Sequence, residues 1–95
     1  MDIATLLGPP PAVRLTMPSA EQIATGEIWV DFDRESDSFV IYFAAHPVPG
    51  VRYDLSDDVM AIADPATGEV LGIQIEAWER RFVPQYADLN RVWPN

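Results

Sequence analysis

Between Ala61 and Glu76 two apolar runs flank Asp64-Pro65-Ala66-Thr67-Gly68, and no other stretch limits the possible folds as tightly. Pro65 holds φ near the value needed at the second position of a turn, Asp64 accepts a bond from the backbone two residues on, and Gly68 takes the left-handed conformation that closes a longer hairpin loop. The stretch predicts a β-hairpin. A loop of this length fixes register, placing Leu71, Ile73, Ile75 and Ala77 on one face and Val70, Gly72, Gln74 and Glu76 on the other. The first face is the expected core face. Gly72, with no side chain to pack, marks a bulge or the close approach of a neighbouring backbone.

The remaining segments read as partners for this hairpin. Ile28, Val30 and Phe32 share one face of a strand beginning at Glu27, and Phe39, Ile41 and Phe43 share one face of a strand over Ser38 to Ala44. The polar loop Asp33-Arg34-Glu35-Ser36-Asp37 joins them. Because Val40, Tyr42 and Ala44 are apolar on the opposite face, with Trp29 matching them, both sheet faces are expected to be covered. One cover is the chain's own helix, and the other is the N-terminal segment or a partner chain. Val51, Tyr53 and Leu55 alternate in a further short strand that Ser56-Asp57-Asp58 breaks. Val13, Leu15 and Met17 suggest a strand near the start, followed by a capping-box pattern at Ser19 and Gln22 and a helical turn from Ala20 to Thr25 that Gly26 stops. After Glu76 the period changes. Trp78, Phe82, Tyr86 and Leu89 line a helical face that Pro84 splits into two short pieces, Arg80 and Arg81 lie outward near Glu76 and Glu79, and Trp93 tucks back onto the domain.

The predicted fold class is α+β. Residues 13–95 form one domain, an antiparallel sheet of four to five strands in a meander of hairpins with a C-terminal helical segment on one face. Residues 1–12, with Pro9-Pro10-Pro11, form a loosely held arm. A chain of 95 residues buries roughly 60–65% of its unfolded surface, so it supports one modest core, and pairing of two copies would supplement that core.

Charge narrows the function. Fifteen Asp and Glu stand against six Arg and no Lys, a net charge of −9, which disfavours nucleic acid and anionic membranes and favours basic partners. The chain has no cysteine, so disulfides, zinc-thiolate sites and cysteine nucleophiles are excluded. The start has no basic segment and its apolar run meets three prolines, unlike a signal peptide, and no run approaches the ~20 apolar residues of a membrane span. The expected setting is the cytoplasm of a bacterial cell.

Little in the sequence points to chemistry. Alternating acids from Asp31 to Asp37 raise the alternative of calcium binding, yet Ser36 and Tyr42 occupy the positions where a calcium loop needs Gly and a bidentate acid. A solvated hairpin loop is the competing reading. His46 is the only histidine, no serine has a nucleophile-elbow context, and the five glycines are dispersed, so neither an enzyme nor a cofactor site is expected. Trp29, Tyr42, Trp78 and Tyr86 are candidates for an interface patch, with core packing as the equal competitor. Asp54, Asp57 and Asp58 form an acidic group that would face a basic partner, or serve in a turn or cap.

The stretches from Val30 to Phe43 and from Asp64 to Glu76 resemble the small bacterial family catalogued as domain of unknown function 2283. That family combines an acidic loop and an aromatic-rich strand with a later Asp, a turn Gly and a Gly-Ile-Glu-Ile-like strand. Gln74 stands here where an acid is usual. The resemblance covers about half the chain and implies a compact α+β unit without established enzymatic activity, some members of which sit beside small toxin-like proteins. The expectation is a non-enzymatic acidic interaction module, antitoxin-like, that binds a basic protein and forms a homodimer. A purely structural homo-oligomer is a further alternative.

Overall fold

In the computed structural model, which describes residues 14–94, Ser19 and Gln22 form the reciprocal capping box their spacing predicts. The Ser19 hydroxyl accepts from the Gln22 amide at 3.1 Å and the Gln22 side chain accepts from the Ser19 amide at 2.8 Å, opening helix α1, Ala20–Thr25. Gly26 ends it. The expected arm at 1–12 and Val13 lie outside the described residues. The strand expected around Leu15 is reduced to a single parallel bridge, in which Thr16 donates to the Gly68 carbonyl and accepts from the Val70 amide, each at 2.9 Å.

Five strands follow: β1, Trp29–Asp33; β2, Ser38–Tyr42; β3, Val51–Ser56; β4, Val59–Ala63; and β5, Val70–Ile75. They form one antiparallel sheet in the order β1-β2-β5-β4-β3. The hairpin around Asp64 to Gly68 is β4–β5. Asp64 closes its loop as composition predicts, its carboxylate accepting from the Ala66 amide and its carbonyl from the Gly68 amide. The order departs from a simple meander at one point. β5 lies between β4 and β2, so the last strand joins the β1–β2 hairpin to the β3–β4–β5 unit.

Register assigns the faces. Phe32, Phe39, Ile41, Ile73, Ile75 and Ala61 lie on one face, and the C-terminal segment covers it. That segment is a π-helical turn at Trp78–Phe82, a 3₁₀ turn at Val83–Gln85 and helix α2 at Ala87–Val92. Pro84 sits in the 3₁₀ turn and splits the helical pattern, because it lacks an amide to continue the bonding. The Trp78 ring stacks on Phe39 with centroids 4.2 Å apart and on Phe82 at 5.2 Å, while Trp93 meets Phe32, Phe39 and Trp78 edge-on. Trp93 therefore tucks back as expected. Its indole N–H donates to the Glu79 carboxylate at 2.8 Å.

At the other end of this covered face, Phe43, Leu71 and Ile23 of α1 line a hollow of about 530 Å³. The N-terminal helix thus shares a face with the C-terminal segment and does not cover the second face. The second face is covered in part by the connection 43–50, which crosses from β2 to the far edge strand β3. A Cβ at Gly50 would stand 2.8 Å from the Ile62 side chain, which shows how closely this crossing lies on β4. Gly72 behaves as predicted. A Cβ there would stand 2.5 Å from the Ile41 carbonyl oxygen and 3.3 Å from the Tyr42 ring, so close strand approach excludes any side chain.

Candidate functional site

The second sheet face, beside β1, is where exposed aromatic and acidic groups coincide. Alternation along β1 sends Trp29, Asp31 and Asp33 to this face, opposite Tyr42, Val40 and Ser38 of β2. Asp31 and Asp33 are exposed, and Trp29 keeps 42% of its surface in solvent. Tyr42, by contrast, is buried, its ring lying over Gly72. Together Asp31, Asp33, Ser38, Val40 and Tyr42, with Pro47 from the crossing connection, line a shallow depression of about 290 Å³.

A polar network forms its floor. Arg52 donates to the Gln74 side-chain oxygen at 3.0 Å, Gln74 donates to Glu76, and Ser38 donates to the second oxygen of Glu76. Arg52, the cation in the lining, thus has its Nε already engaged. The carboxylates of Asp31 and Asp33 face no arginine partner within ion-pair distance among the described residues. The face is therefore electronegative, with a half-exposed indole at its rim. Such a surface attracts guanidinium and ammonium groups by charge and by cation–π contact.

The sequence-predicted interface residues do not form one patch. Trp29, Tyr42 and Asp54 belong to the second face, with Asp54 on β3 at its far side. Trp78 is only 6% exposed and sits in the aromatic stack of the covered face, while Tyr86 is exposed beside Phe82, with ring centroids 5.1 Å apart. Asp57 is exposed in the β3–β4 turn. Asp58 is committed inside the molecule: its carboxylate takes two bonds from Arg81, at 2.9 and 2.6 Å, and its carbonyl accepts from the Glu76 amide. Arg81 was expected near Glu76 and Glu79, but the fold brings the β3–β4 turn to it instead. Hydrogen bonding to Asp58, reinforced by the Asp58 charge, raises the pKa of the Arg81 guanidinium above its ordinary value.

The acidic loop is spent in a similar way. Asp37 adopts a left-handed conformation, φ 56°, and its two carboxylate oxygens accept from the Glu79 and Arg80 amides at 2.8 and 3.1 Å. Its carbonyl accepts from the Trp78 amide at 2.9 Å. Asp37 thus caps the π-helical turn across the fold. Asp33 accepts from the Glu35 amide in a local turn. Among the described residues no three acidic or histidine side chains converge as a metal shell would require, and the exposed His46 ring shares a hydrogen bond with the carbonyl of its neighbour Pro47. Among the described residues no helix is long and apolar enough to cross a membrane.

Sequence reasoning did not single out Asp31 and Asp33 as a pair separate from the rest of the acidic loop. The signal was present in the alternation of Trp29, Asp31 and Asp33, which a strand must send to one face. Among the described residues these features define an α+β domain built on a five-stranded antiparallel sheet, one face covered by aromatic helical turns and the other covered in part by the 43–50 connection and acidic along β1. Comparison with family models, curated proteins and solved structures finds no match.

Proposed function

We propose that this protein is a non-enzymatic, acidic interaction module that binds a basic protein on the second sheet face, masking it as an antitoxin-like partner would. One observation carries the reading: Trp29, Asp31 and Asp33 stand at alternate positions of an exposed strand, beside Val40 and Ser38, with no arginine paired to either carboxylate among the described residues. Carboxylates supply charge-assisted bonds to Arg or Lys, and the indole supplies an apolar and cation–π contact beside them. The net charge of −9 steers a basic partner towards the molecule.

The test is a pull-down from native lysate at low and high salt, with the mass of the complex measured. The expected result is a stoichiometric basic protein at low salt that high salt releases. Asp31→Asn with Asp33→Asn should weaken that complex and flatten its salt dependence, and Asp54→Asn should act in the same direction. Unchanged affinity in the double variant would overturn this reading of the face. A homodimer with nothing else attached would put the structural alternative in its place.

A further inference from the structure

Resting on the basic-partner reading, we propose that the partner binds by strand addition: an extended segment with cations at alternate positions pairs with the free edge of β1 and becomes a sixth strand of the sheet. Among the described residues β1 pairs with β2 alone, so alternate residues of Trp29–Asp33 turn their N–H and C=O groups outward. Such an edge is a template for another chain.

The two sheet edges differ in how well they are protected. β3, at the far side, has a register irregularity between Asp54 and Ser56, a feature that discourages further pairing. β1 has none. Its register with β2 runs unbroken from Trp29 to Asp33, and its only charges, Asp31 and Asp33, repel an acidic strand but not a basic one. Ile28 and Val30, 54% and 50% exposed, add apolar surface at the same edge.

The side chains of β1 specify what the added strand must carry. On the second face it lies beside Trp29, Asp31 and Asp33, which select arginine or lysine at every other position. On the opposite face it lies beside Val30 and Phe32, which select apolar or β-branched residues between them. A second copy of this chain is a poor occupant. Pairing β1 with β1 would gather the Asp31 and Asp33 carboxylates of both copies at one junction and join two molecules of net charge −9, whereas a basic strand removes that repulsion.

Synthetic peptides and the whole chain test this directly. The probe alternates arginine with threonine; one control has the same residues with the arginines in a single block, and another is the alternating peptide N-methylated along its centre, which keeps the charge but removes the amide donors. The alternating peptide should bind at low salt, bind at least about tenfold more tightly than either control, and slow amide hydrogen exchange across Trp29–Asp33. Equal, salt-sensitive binding of all three would overturn strand addition while leaving the basic-partner reading standing. Absence of any binding at low salt would remove both. Protection appearing on β3, or a peptide-free dimer with protected β1 amides, would overturn the assignment of β1 to a basic strand.

Discussion

Asp37 serves a segment 42 residues away, since its carboxylate and carbonyl together hold three amides at the start of the π-helical turn. A cap of this kind is worth about 1–2 kcal/mol, so Asp37→Ala should lower stability in urea by that amount, and a neutral result would show that solvent satisfies these amides equally well. Ala77, just before the same turn, sits at φ 51°, where its Cβ is strained. Ala77→Gly relieves that strain but loosens the unfolded chain, for a net gain of about 0.5 kcal/mol; a loss would mean that burial of the methyl group outweighs the strain. Gly72→Ala has the opposite character. The added methyl meets the Ile41 carbonyl in the middle of the sheet, and a cost of about 1–3 kcal/mol in denaturant unfolding is expected. The close approach at Gly72 was legible as a glycine inside a strand pattern, whereas the role of Asp37 was not, because its partners are remote amides that have no sequence signature.

The elements divide in the same way. The β4–β5 hairpin, the capping box of α1 and the break at Pro84 were readable because each rests on residues a few positions apart. The pairing of β2 with β5 was not readable, nor was the docking of the β3–β4 turn onto Arg81, since each depends on strand order across the whole sheet. Asp57 and Asp58 form the turn their composition suggests, with Asp58 at φ 64°, but Ser56, expected to break the strand with them, still belongs to β3. At the candidate face the alternation of Trp29 with Asp31 and Asp33 was in the sequence, but the burial of Tyr42 over Gly72 required the register. The C-terminal segment is tested through Trp93, which ties α2 to Phe32, Phe39 and Trp78. Trp93→Ala should cost roughly 3 kcal/mol and release α2, seen as loss of helical circular dichroism before the sheet melts. Simultaneous melting of both would show that α2 does not depend on this contact.

At the scale of the whole molecule, charge and topology dominate. With a net charge of −9 the folded chain repels itself, so raising ionic strength from low values towards about 0.15 M should raise Tm. A fall in Tm would mean that ion pairs such as Arg81–Asp58 outweigh the repulsion. Topology has a different consequence, felt while the chain is being made. β5 is the last of the five described strands to be synthesised, yet it occupies the middle of the sheet and touches both β2 and β4. A nascent chain that has emerged only as far as Ala63 therefore holds two separate hairpins whose inner edges, at β2 and β4, are unpaired and rich in apolar residues. The ribosome must deliver Val70–Ile75 before either edge closes, so a translational pause just upstream of that segment exposes adhesive strands and invites chaperone capture or aggregation.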